Sequence, residues 1–558
     1  MKRDLSSLAS QEYDVIVLGA GAFGSCAAWE AASRGLSVAL VERGDFCCAT
    51  SANHLKMVHG GIRYLQHADI QRVRESCRER SILLRIAPHL VRPIPILMPT
   101  YGNGMQGREV LGAGLLLYDL ITSDRNRGLG DEARRIPRGR IISRDECLEV
   151  YPHLKQEGLT GAGVFFDAQF YNPPRLALAF LRSAVMAGAC IGNYCEAVGF
   201  VRKHERICGV RVRDVLTGAG FDIRGKMVLN AAGPWADRLL ADGASIRLRP
   251  VPSFSRDLGF VVRRPLARSH ALAIQLHTKD PDAVLSRKGR HVFVVPWREY
   301  SLVGVWHKVH KSGPDGIGVR EEEIRGYIDE VNASYPAFAI TLEDVSMINT
   351  GLTLFGENSE GAEDLSFGKR SLLIDHAREY GVEGLVTLIG VRATTARGMA
   401  EKAVDLIFRK LGKAPAASRT STTRIYGGKI DDFEGFLQQA GRQNGNPRSM
   451  EVMRHLAHNY GARYGEVLRY TGENPAWGAT LGESQVIGAE VVHAVREEMA
   501  QKLEDVVFRR TDLGTGAYPG ESSLRACTAV MADEMKWDEA RREREIREVM
   551  SHFPRYGS

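Results

Sequence analysis

The chain has 558 residues, which exceeds one ordinary domain and predicts two or three domains with large cores. Its 74 basic and 67 acidic side chains leave a formal net charge of +7, a modest excess over so large a surface. This balance gives little support for a nucleic-acid partner, and it is compatible with an anionic membrane surface or an acidic substrate.

The apolar pattern and the cysteines bear on the cellular location of the protein. The longest apolar stretch, 110–121, includes Asp119, so the sequence has no uncharged segment of about 18 residues that could cross a bilayer. No apolar signal core precedes the first predicted strand. The nine cysteines are scattered and never spaced as CxxC pairs, which indicates reduced thiols rather than disulfides or zinc ligands. We therefore expect a cytoplasmic protein without a metal site, and surface attachment to a membrane stays open.

Residues 13–43 form a continuous pattern of strand, glycine turn, helix and strand. The first strand is followed by Gly19, Gly21 and Gly24 in GxGxxG spacing. In such a unit the glycines allow a tight turn, the approach of a pyrophosphate and close packing of the helix on the strand. Glu42 ends the second strand, where an acid accepts hydrogen bonds from a ribose. The unit predicts a dinucleotide whose phosphates lie at the helix N-terminus.

The next segments are predicted to complete the wall of the cofactor site. Residues 44–65 bring polar side chains and a flexible backbone near the dinucleotide, namely Thr50, Ser51, Lys56, His59, Gly60 and Gly61. Of these, Lys56 is a candidate substrate residue. Residues 68–84 alternate charged and apolar side chains at helical spacing, which predicts a solvated amphipathic helix.

Two later segments suggest that the nucleotide-binding domain is split. Residues 221–230 predict a strand that runs into a small-residue segment containing Gly233, and residues 385–395 predict another strand, with a plain core strand as the alternative. A nicotinamide-binding domain is normally contiguous and finishes its strands within about 150 residues, so the long insertion favours a flavin. The segments 208–215, 258–262, 291–295 and 302–306 predict a mixed sheet within the insertion.

Seven motifs spread over nearly the whole chain carry a family resemblance. They occupy residues 15–46, 59–65 (HGGIRYL), 74–99, 230–237 (NAAGPWAD), 292–304, 393–405 and 488–514. Through them the chain resembles the FAD-dependent glycerol-3-phosphate dehydrogenases and oxidases. The resemblance implies an α/β fold with a Rossmann-like FAD-binding domain of the glutathione-reductase or amino-acid-oxidase type, an inserted mixed β-sheet substrate domain and a helical C-terminal domain.

The resemblance also implies domain limits. The FAD-binding parts are expected at about 13–100, 160–240 and 370–413, and the substrate-domain parts at about 101–159 and 241–369. The helical C-terminal domain is expected at 414–558, as a cap over the flavin domain or as a homodimer contact.

A flavin accepts the hydride of an alcohol while a protein base takes the hydroxyl proton. By resemblance, Arg392 and the backbone of Ala393 and Thr394, together with Gly390, lie where they bind and stabilise the reduced flavin. His59 and His307 are the candidate bases, although histidines are often structural or surface residues. The substrate pocket is expected at 296–297, 305–307 and 392–394, where Trp306 offers a flat face to a bulky substrate or simply fills core space.

The chain departs from the family at the positions that usually bind phosphate. Thr353 and Ile374 stand where family members carry arginines, and Arg392 stands where they carry a lysine. Because arginine contacts to phosphate are bidentate and strong, their loss should weaken phosphate binding unless other residues replace them. The candidate replacements are Arg256, Lys308, His310, Lys369 and Arg370, all of which could also be ordinary solvent-facing charges.

The sequence therefore predicts an FAD-dependent dehydrogenase of the glycerol-3-phosphate type that oxidises a secondary alcohol. A related polyol, polyol phosphate or hydroxylated compound is favoured over glycerol 3-phosphate itself. Amine oxidation by an amino-acid-oxidase-like flavoenzyme is the alternative, and a flavin-bearing scaffold without turnover is a third interpretation. The family implies quinone or dioxygen as the electron acceptor. Quinone would imply peripheral contact with the inner face of the cell membrane, for which residues 105–125 offer a basic and apolar surface unless they form a packed helix.

Overall fold

The computed structural model describes residues 1–104, 107–276, 291–356, 370–442 and 447–554. The strands in chain order are β1 (Glu12–Leu18), β2 (Val38–Val41), β3 (Met57–Val58), β4 (Val91–Tyr101), β5 (Arg140–Ile142), β6 (Leu159–Phe170), β7 (Cys190–Gly192), β8 (Cys195–Lys203), β9 (Arg206–Asp214), β10 (Gly220–Asn230), β11 (Ser253–Val262), β12 (Ala271–Gln275), β13 (His291–Trp297), β14 (Tyr300–His310), β15 (Val345–Phe355), β16 (Leu372–Asp375) and β17 (Leu385–Ile389).

The helices in chain order are α1 (Leu5–Ala9), α2 (Ala22–Ser33), α3 (Ile70–Ile86), α4 (Arg108–Ile121), α5 (Arg144–Val150), α6 (Pro173–Met186), α7 (Ala236–Ala244), α8 (Glu321–Ser334), α9 (His376–Tyr380), α10 (Ala396–Lys410), α11 (Phe433–Arg442), α12 (Pro447–Tyr460), α13 (Tyr464–Leu468), α14 (Tyr470–Glu473), α15 (Gly488–Glu498), α16 (Leu503–Asp505), α17 (Glu521–Met535) and α18 (Glu539–Met550). Within the described ranges, no helix is long and apolar enough to cross a bilayer.

The first sheet has the parallel centre that the N-terminal pattern predicts, with β16 and the β8–β9 hairpin added in antiparallel pairing. Its strand order is β16-β17-β10-β1-β2-β7. The pairs β1–β2, β1–β10, β10–β17 and β2–β7 are parallel. The strands predicted at 221–230 and 385–395 are thus confirmed as members of the nucleotide-binding sheet, although β17 already ends at Ile389. Helix α2 packs between α6 and α10 over this sheet, and Trp29 of α2 contacts Phe180 of α6 with ring centres 5.5 Å apart.

Helix α3 is more buried than its charged sequence predicts. Glu79 and Arg80 are 3% and 0% exposed. Two donors of Arg397 on α10 bind Glu79 at 2.8 and 2.5 Å, while Arg80 donates to Asp167 of β6. The amphipathic helix is confirmed with one solvated face that includes Arg74 and Arg78, but Glu79 and Arg80 are buried because charges on neighbouring elements pair with them inside the protein.

The second sheet has the order β15-β11-β14-β13-β12-β4-β6-β3, with β5 beside β6. It is mixed, because β12 and β4 are parallel while the flanking pairs β12–β13 and β4–β6 are antiparallel. Strands β4 and β6 belong here, although the predicted limits assign 91–100 and 160–170 to the FAD-binding parts. The segment 208–215 was expected in this mixed sheet, but it forms β9 and pairs with β10 of the first sheet.

The apolar pattern of residues 486–510, with three- and four-residue spacing, predicts one long helix in the C-terminal domain, but the structure does not contain it. Helix α15 ends at Glu498, Met499 adopts a φ of 57°, and the chain turns into α16. A turn of π-helix at Val506–Arg510 follows and brings Arg509 and Arg510 into the interior. Because the long helix is interrupted at Met499, the side chains of Arg509 and Arg510 reach the segment after β2.

Both arginines bind Asp45, which follows the second strand of the dinucleotide unit. Arg510 donates to the two oxygens of Asp45 at 2.6 and 2.7 Å, and Arg509 Nε donates at 2.6 Å. Burial alone would raise the pKa of Asp45, but Arg510 and Arg509 hold it well below its usual value. The C-terminal helices are thereby joined to the cofactor-binding segment by buried, charge-assisted hydrogen bonds.

A second polar network lies inside the C-terminal helices. His455 contacts Glu490 Oε2 at 3.0 Å and Asp512 Oδ2 at 3.2 Å. Burial alone would lower the pKa of His455, but these two carboxylates raise it to about 10. The imidazole is therefore charged at neutral pH and pairs with both acids.

Candidate active site

One cavity of about 1080 Å³ brings the dinucleotide motif and the candidate catalytic side chains together. The predicted site residues that line it are Gly19, Gly21, Glu42, Thr50, Ser51, His59, Gly61, Gly233, His307, Gly390, Arg392, Ala393 and Thr394. Cys47 and Cys48 also line it, and all nine cysteines of the chain are free thiols. Among the described residues, no group of three or more His, Cys, Asp or Glu could hold a metal ion.

The glycine turn leaves room for phosphates beside the backbone. Gly19 has a φ of 97°, and a Cβ placed on it would lie 2.8 Å from the carbonyl oxygen of Ala231. A Cβ on Gly24 would overlap the carbonyl oxygen of Gly19, so Gly24 supports the turn without lining the cavity. Helix α2 begins after Gly21, which has no side chain with which to cap the helix. The backbone of the turn thus lies against the cavity at the positive end of α2.

Glu42 is held in a fixed orientation by the same turn. Its carboxylate accepts hydrogen bonds from the backbone N–H groups of Ala20 at 2.7 Å and Gly44 at 3.0 Å. Burial raises the pKa of this carboxyl above its usual value. Ser51 Oγ accepts from the N–H of Ala22 at 2.9 Å, which ties the segment after β2 to the first turn of α2.

His59 and Asp167 form one of two histidine–carboxylate pairs in the cavity. His59 Nδ1 lies 3.2 Å from Asp167 Oδ2, and Asp167 also accepts from Gly60 N at 2.6 Å and Arg80 Nη1 at 2.7 Å. Burial alone would raise the pKa of Asp167, but the hydrogen bond from His59 and the charge of Arg80 lower it. An ionised Asp167 favours the tautomer with a proton on Nδ1, which leaves Nε2 as the acceptor nitrogen.

His307 and Asp257 form the second pair. The two residues lie opposite each other on β14 and β11, and His307 Nδ1 is 2.7 Å from Asp257 Oδ1. Ser255 Oγ donates to the same carboxylate oxygen. The His307 side chain is 20% exposed, compared with 44% for His59. The structure therefore keeps both candidate bases in the cavity, with His59 the more accessible.

Arginine side chains gather around Tyr64 in the cavity wall. The guanidinium carbons of Arg72 and Arg392 lie 4.8 and 4.9 Å from the centre of the Tyr64 ring. Arg392 Nη1 donates to Ser76 Oγ at 2.7 Å, and Arg63 also lines the cavity. These contacts orient cationic groups toward a site where an anionic substrate could bind.

Matches with known proteins agree with this arrangement. Residues 14–445 match the family described as FAD dependent oxidoreductase, and residues 418–542 match the C-terminal domain of alpha-glycerophosphate oxidase. The glycerol-3-phosphate dehydrogenase of Synechocystis sp. is 29% identical over 99% of this chain and 98% of its own length. The mitochondrial glycerol-3-phosphate dehydrogenase of Mus musculus is 32% identical over 98% of this chain and 73% of its own length. The chain belongs to the FAD-dependent glycerol-3-phosphate dehydrogenase family.

A solved structure from this family has the same fold. The glycerol-3-phosphate dehydrogenase from Bacillus halodurans, complexed with FAD, superposes with a TM-score of 0.76 at 24% identity and covers 98% of this chain and 95% of its own. This agreement confirms the predicted architecture of an FAD-dependent oxidoreductase with mixed sheets and a helical C-terminal region.

The residues of this dehydrogenase-family cavity fit FAD. The turn at Gly19 brings backbone close to the cavity, and Glu42 is a fixed acceptor with lone pairs left for ribose hydroxyls. When bound, FAD supplies the two-electron acceptor that oxidation of an alcohol needs. The residues that line the cavity would hold the dinucleotide beside the substrate.

The three substrate residues predicted from the sequence lie outside the cavity. Trp306 points to the opposite side of β14 from His307, because side chains alternate along a strand. Its ring stacks on that of Tyr327 with centres 4.3 Å apart, and its Nε1 donates to Glu330 at 2.9 Å. Trp306 is thus a core residue of the second sheet in this family member.

Lys56 and Arg256 are also engaged away from the cavity. Lys56 Nζ lies 4.6 Å from the centre of the Trp297 ring, and burial lowers the pKa of this amine to about 7. Arg256 pairs with Glu323 of α8, and Lys308 Nζ binds the same carboxylate at 2.8 Å. Arg256 and Lys308, two of the cations predicted to replace the family's phosphate-binding arginines, are therefore paired with Glu323.

The other predicted replacements lie elsewhere in the chain. Arg370 donates to Gln71 Oε1 at 3.2 Å, and His310 Nε2 lies 3.1 Å from the carbonyl oxygen of Gly313. Neither residue lines the cavity. Lys369 lies outside the described residues. Gly60 supports the site through its bond to Asp167 rather than by lining it.

Several cavity residues escaped prediction for identifiable reasons. Arg63 and Tyr64 lie within the HGGIRYL motif at 59–65, so their position in that motif was an available signal. Arg72 lies in an amphipathic helix whose charges suggested solvent. Asp167 and Asp257 meet their histidines only across the second sheet, so no local pattern marks them.

Proposed function

We propose that this enzyme oxidises the secondary hydroxyl of glycerol 3-phosphate or of a closely related polyol phosphate. One observation carries the proposal: a single cavity contains the dinucleotide turn, a histidine fixed by a buried carboxylate, and arginine side chains suited to an anionic group. The relatives named glycerol-3-phosphate dehydrogenase support this substrate class.

His59 is the proposed proton acceptor. Its backbone N–H donates to Thr394 Oγ1 at 3.2 Å, which brings it to the segment expected beside the flavin ring. Its Nε2 takes the hydroxyl proton, and Asp167 stabilises the resulting imidazolium. Arg80, fully buried behind Asp167, keeps that carboxylate ionised and in place.

Anaerobic mixing of the FAD-loaded protein with candidate substrates tests the proposal. Glycerol 3-phosphate should bleach the visible flavin band, and uncharged glycerol should do so only at far higher concentrations. Amino acids should leave the band unchanged. Bleaching by amines alone would support the amino-acid-oxidase alternative, and no bleaching by any donor would support a scaffold without turnover.

For the electron acceptor, the proposal is a membrane quinone reached by peripheral contact with the inner face of the cell membrane. Leu116, Leu117 and Leu120 of α4 are 63%, 51% and 66% exposed and lie on one side of the helix. Helix α4 packs beside the short helix 62–67, which lines the cavity. The contact rests on this apolar face, because exposed Arg108 at the start of α4 is paired with Glu109.

Sedimentation with vesicles that contain anionic phospholipid tests this contact. The wild-type protein should sediment with the vesicles, and the double variant Leu116→Ser and Leu120→Ser should not. Met186→Ser is the matched control, because Met186 is also 66% exposed but lies on α6. Failure of the wild-type protein to bind vesicles, with efficient reoxidation by dioxygen, would contradict the proposal. A dimer that dissociates in the double variant would instead assign the face to a second copy of the chain.

A further inference from the structure

We infer that Arg72 and Arg392 form a relocated anion subsite that holds the phosphate of the substrate. The inference rests on the proposed function, because it specifies how the same cavity binds a phosphorylated alcohol. It also explains how the chain can dispense with arginines at positions 353 and 374. The usual phosphate contacts would then be replaced by side chains of α3 and of the segment before α10.

The former positions offer no cation in the structure. Thr353 lines the cavity with an uncharged side chain, and Ile374 packs against the apolar core of the first sheet. Arg256 of β11 and Lys308 of β14 both bind Glu323. Among these four residues, none therefore offers an unpaired guanidinium group to a substrate phosphate.

Arg72 and Arg392 are instead fixed at the cavity by neighbouring groups. Arg72 Nε donates to Asp69 Oδ2 at 2.7 Å, and Arg392 Nη1 donates to Ser76 Oγ at 2.7 Å. Both guanidinium groups lie within 5 Å of the Tyr64 ring centre, at 4.8 and 4.9 Å. Each contact uses only part of an arginine fork, which has five N–H donors. Planar groups held in this way lose little entropy when they bind an oxyanion.

The charge balance around Tyr64 favours an anion. Arg63, Arg72 and Arg392 line the cavity, whereas Asp69 is the carboxylate that faces them on α3. Desolvation would raise the pKa of Asp69, but hydrogen bonds from Arg72 and the charge of Arg370 lower it. The carboxyl is therefore ionised at neutral pH and is outnumbered by guanidinium charges.

The remaining carboxylates of this wall are already paired. Asp167 binds Arg80 and His59, and Asp257 binds His307. They do not cancel the charge near Tyr64. A phosphate dianion matches several guanidinium groups better than a single carboxylate does, because its oxygens accept more than one bidentate pair.

The test uses the FAD-loaded protein and inorganic phosphate as the probe. Phosphate binding is followed as a change in the flavin absorption spectrum, and the KM for glycerol 3-phosphate is measured in parallel. Arg72→Gln and Arg392→Gln should each raise the phosphate dissociation constant and the KM for glycerol 3-phosphate by roughly 10- to 100-fold. This is the loss of affinity expected when one charge-assisted hydrogen bond is removed. Arg72→Lys should fall between wild type and Arg72→Gln, because it keeps the charge and loses the fork.

Arg74→Gln is the matched control on the same helix. Arg74 pairs with exposed Asp124 and does not line the cavity, so its loss should leave phosphate binding unchanged. Acetate should compete poorly with phosphate in the wild-type protein. Equal phosphate affinity in wild type, Arg72→Gln and Arg392→Gln would overturn the inference, and so would no phosphate binding by wild type. Arginine-dependent phosphate binding without flavin bleaching by glycerol 3-phosphate would support the subsite and reject the proposed function.

Discussion

Replacing Asp167 by asparagine distinguishes between the two histidine–carboxylate pairs. The substitution keeps the size of the side chain and one acceptor oxygen for Gly60 N, but it removes the charge that faces His59 and Arg80. An asparagine amide can also donate to His59 Nδ1, which favours the tautomer with its proton on Nε2. That tautomer cannot accept a proton from the substrate at Nε2.

The expected effects follow from these contacts. Loss of correctly oriented general-base catalysis should slow flavin reduction by about 10²- to 10⁴-fold. Arg80 is fully buried and would lose its anionic partner, which costs about 3–5 kcal/mol when a buried pair is broken. Arg80 keeps other acceptors, including the carbonyl oxygen of Phe166, so the loss of folding free energy should lie near the lower end of this range.

Anaerobic stopped-flow reduction with glycerol 3-phosphate measures the rate constant, and thermal unfolding measures the stability. Asp257→Asn is the matched control, because it makes the same change beside His307. We expect Asp167→Asn to slow reduction far more than Asp257→Asn does, while both variants retain FAD. A wild-type rate constant in Asp167→Asn would refute the assignment of His59, and a selective loss in Asp257→Asn would transfer the role to His307.

Three further predictions concern the scaffold. Gly24→Ala should abolish FAD retention, because the new Cβ would overlap the Gly19 carbonyl oxygen. The ratio of visible flavin absorbance to ultraviolet protein absorbance in the purified protein measures FAD retention. A variant fully loaded with FAD would contradict the prediction. Arg510→Gln should lower the free energy of unfolding by about 3–5 kcal/mol, since it leaves Asp45 without its bidentate partner, and an unchanged thermal midpoint would exclude this. The pKa of His455 is raised to about 10, so its contribution to stability is complete below the unfolded value near 6.5 and disappears as pH rises through 10. Between pH 6.5 and 10, the thermal midpoint of His455→Gln should therefore decline less steeply than that of the wild-type protein. An equally steep decline in both proteins would contradict this explanation.

The features that the sequence predicts well depend on local backbone geometry. The glycine turn at Gly19 and the acid at Glu42 follow from spacing within one continuous unit, and the structure brings both to the cavity. The assignment of β10 and β17 to the same sheet also followed, because apolar strands before small residues are typical of nucleotide sites.

The features that it predicts poorly depend on contacts between distant segments. The orientation of Trp306 was decided by strand register, since a shift of one residue exchanges the faces of a sheet. The burial of Arg80 was decided by Asp167, 87 residues away. The placement of Arg72 at the cavity similarly depends on how α3 packs beside the segment that contains Arg392.

The bonds between Asp45 and Arg510 have a consequence for biogenesis. Asp45 leaves the ribosome long before Arg509 and Arg510. During synthesis the Asp45 carboxylate therefore lacks both of the arginines that pair with it in the folded protein. We therefore expect the nascent dinucleotide unit to stay open and to take up its cofactor only after the late helices have docked. Ribosome-stalled chains that stop before Arg509 should consequently carry little flavin, whereas chains stalled after the whole helical region has emerged should be yellow.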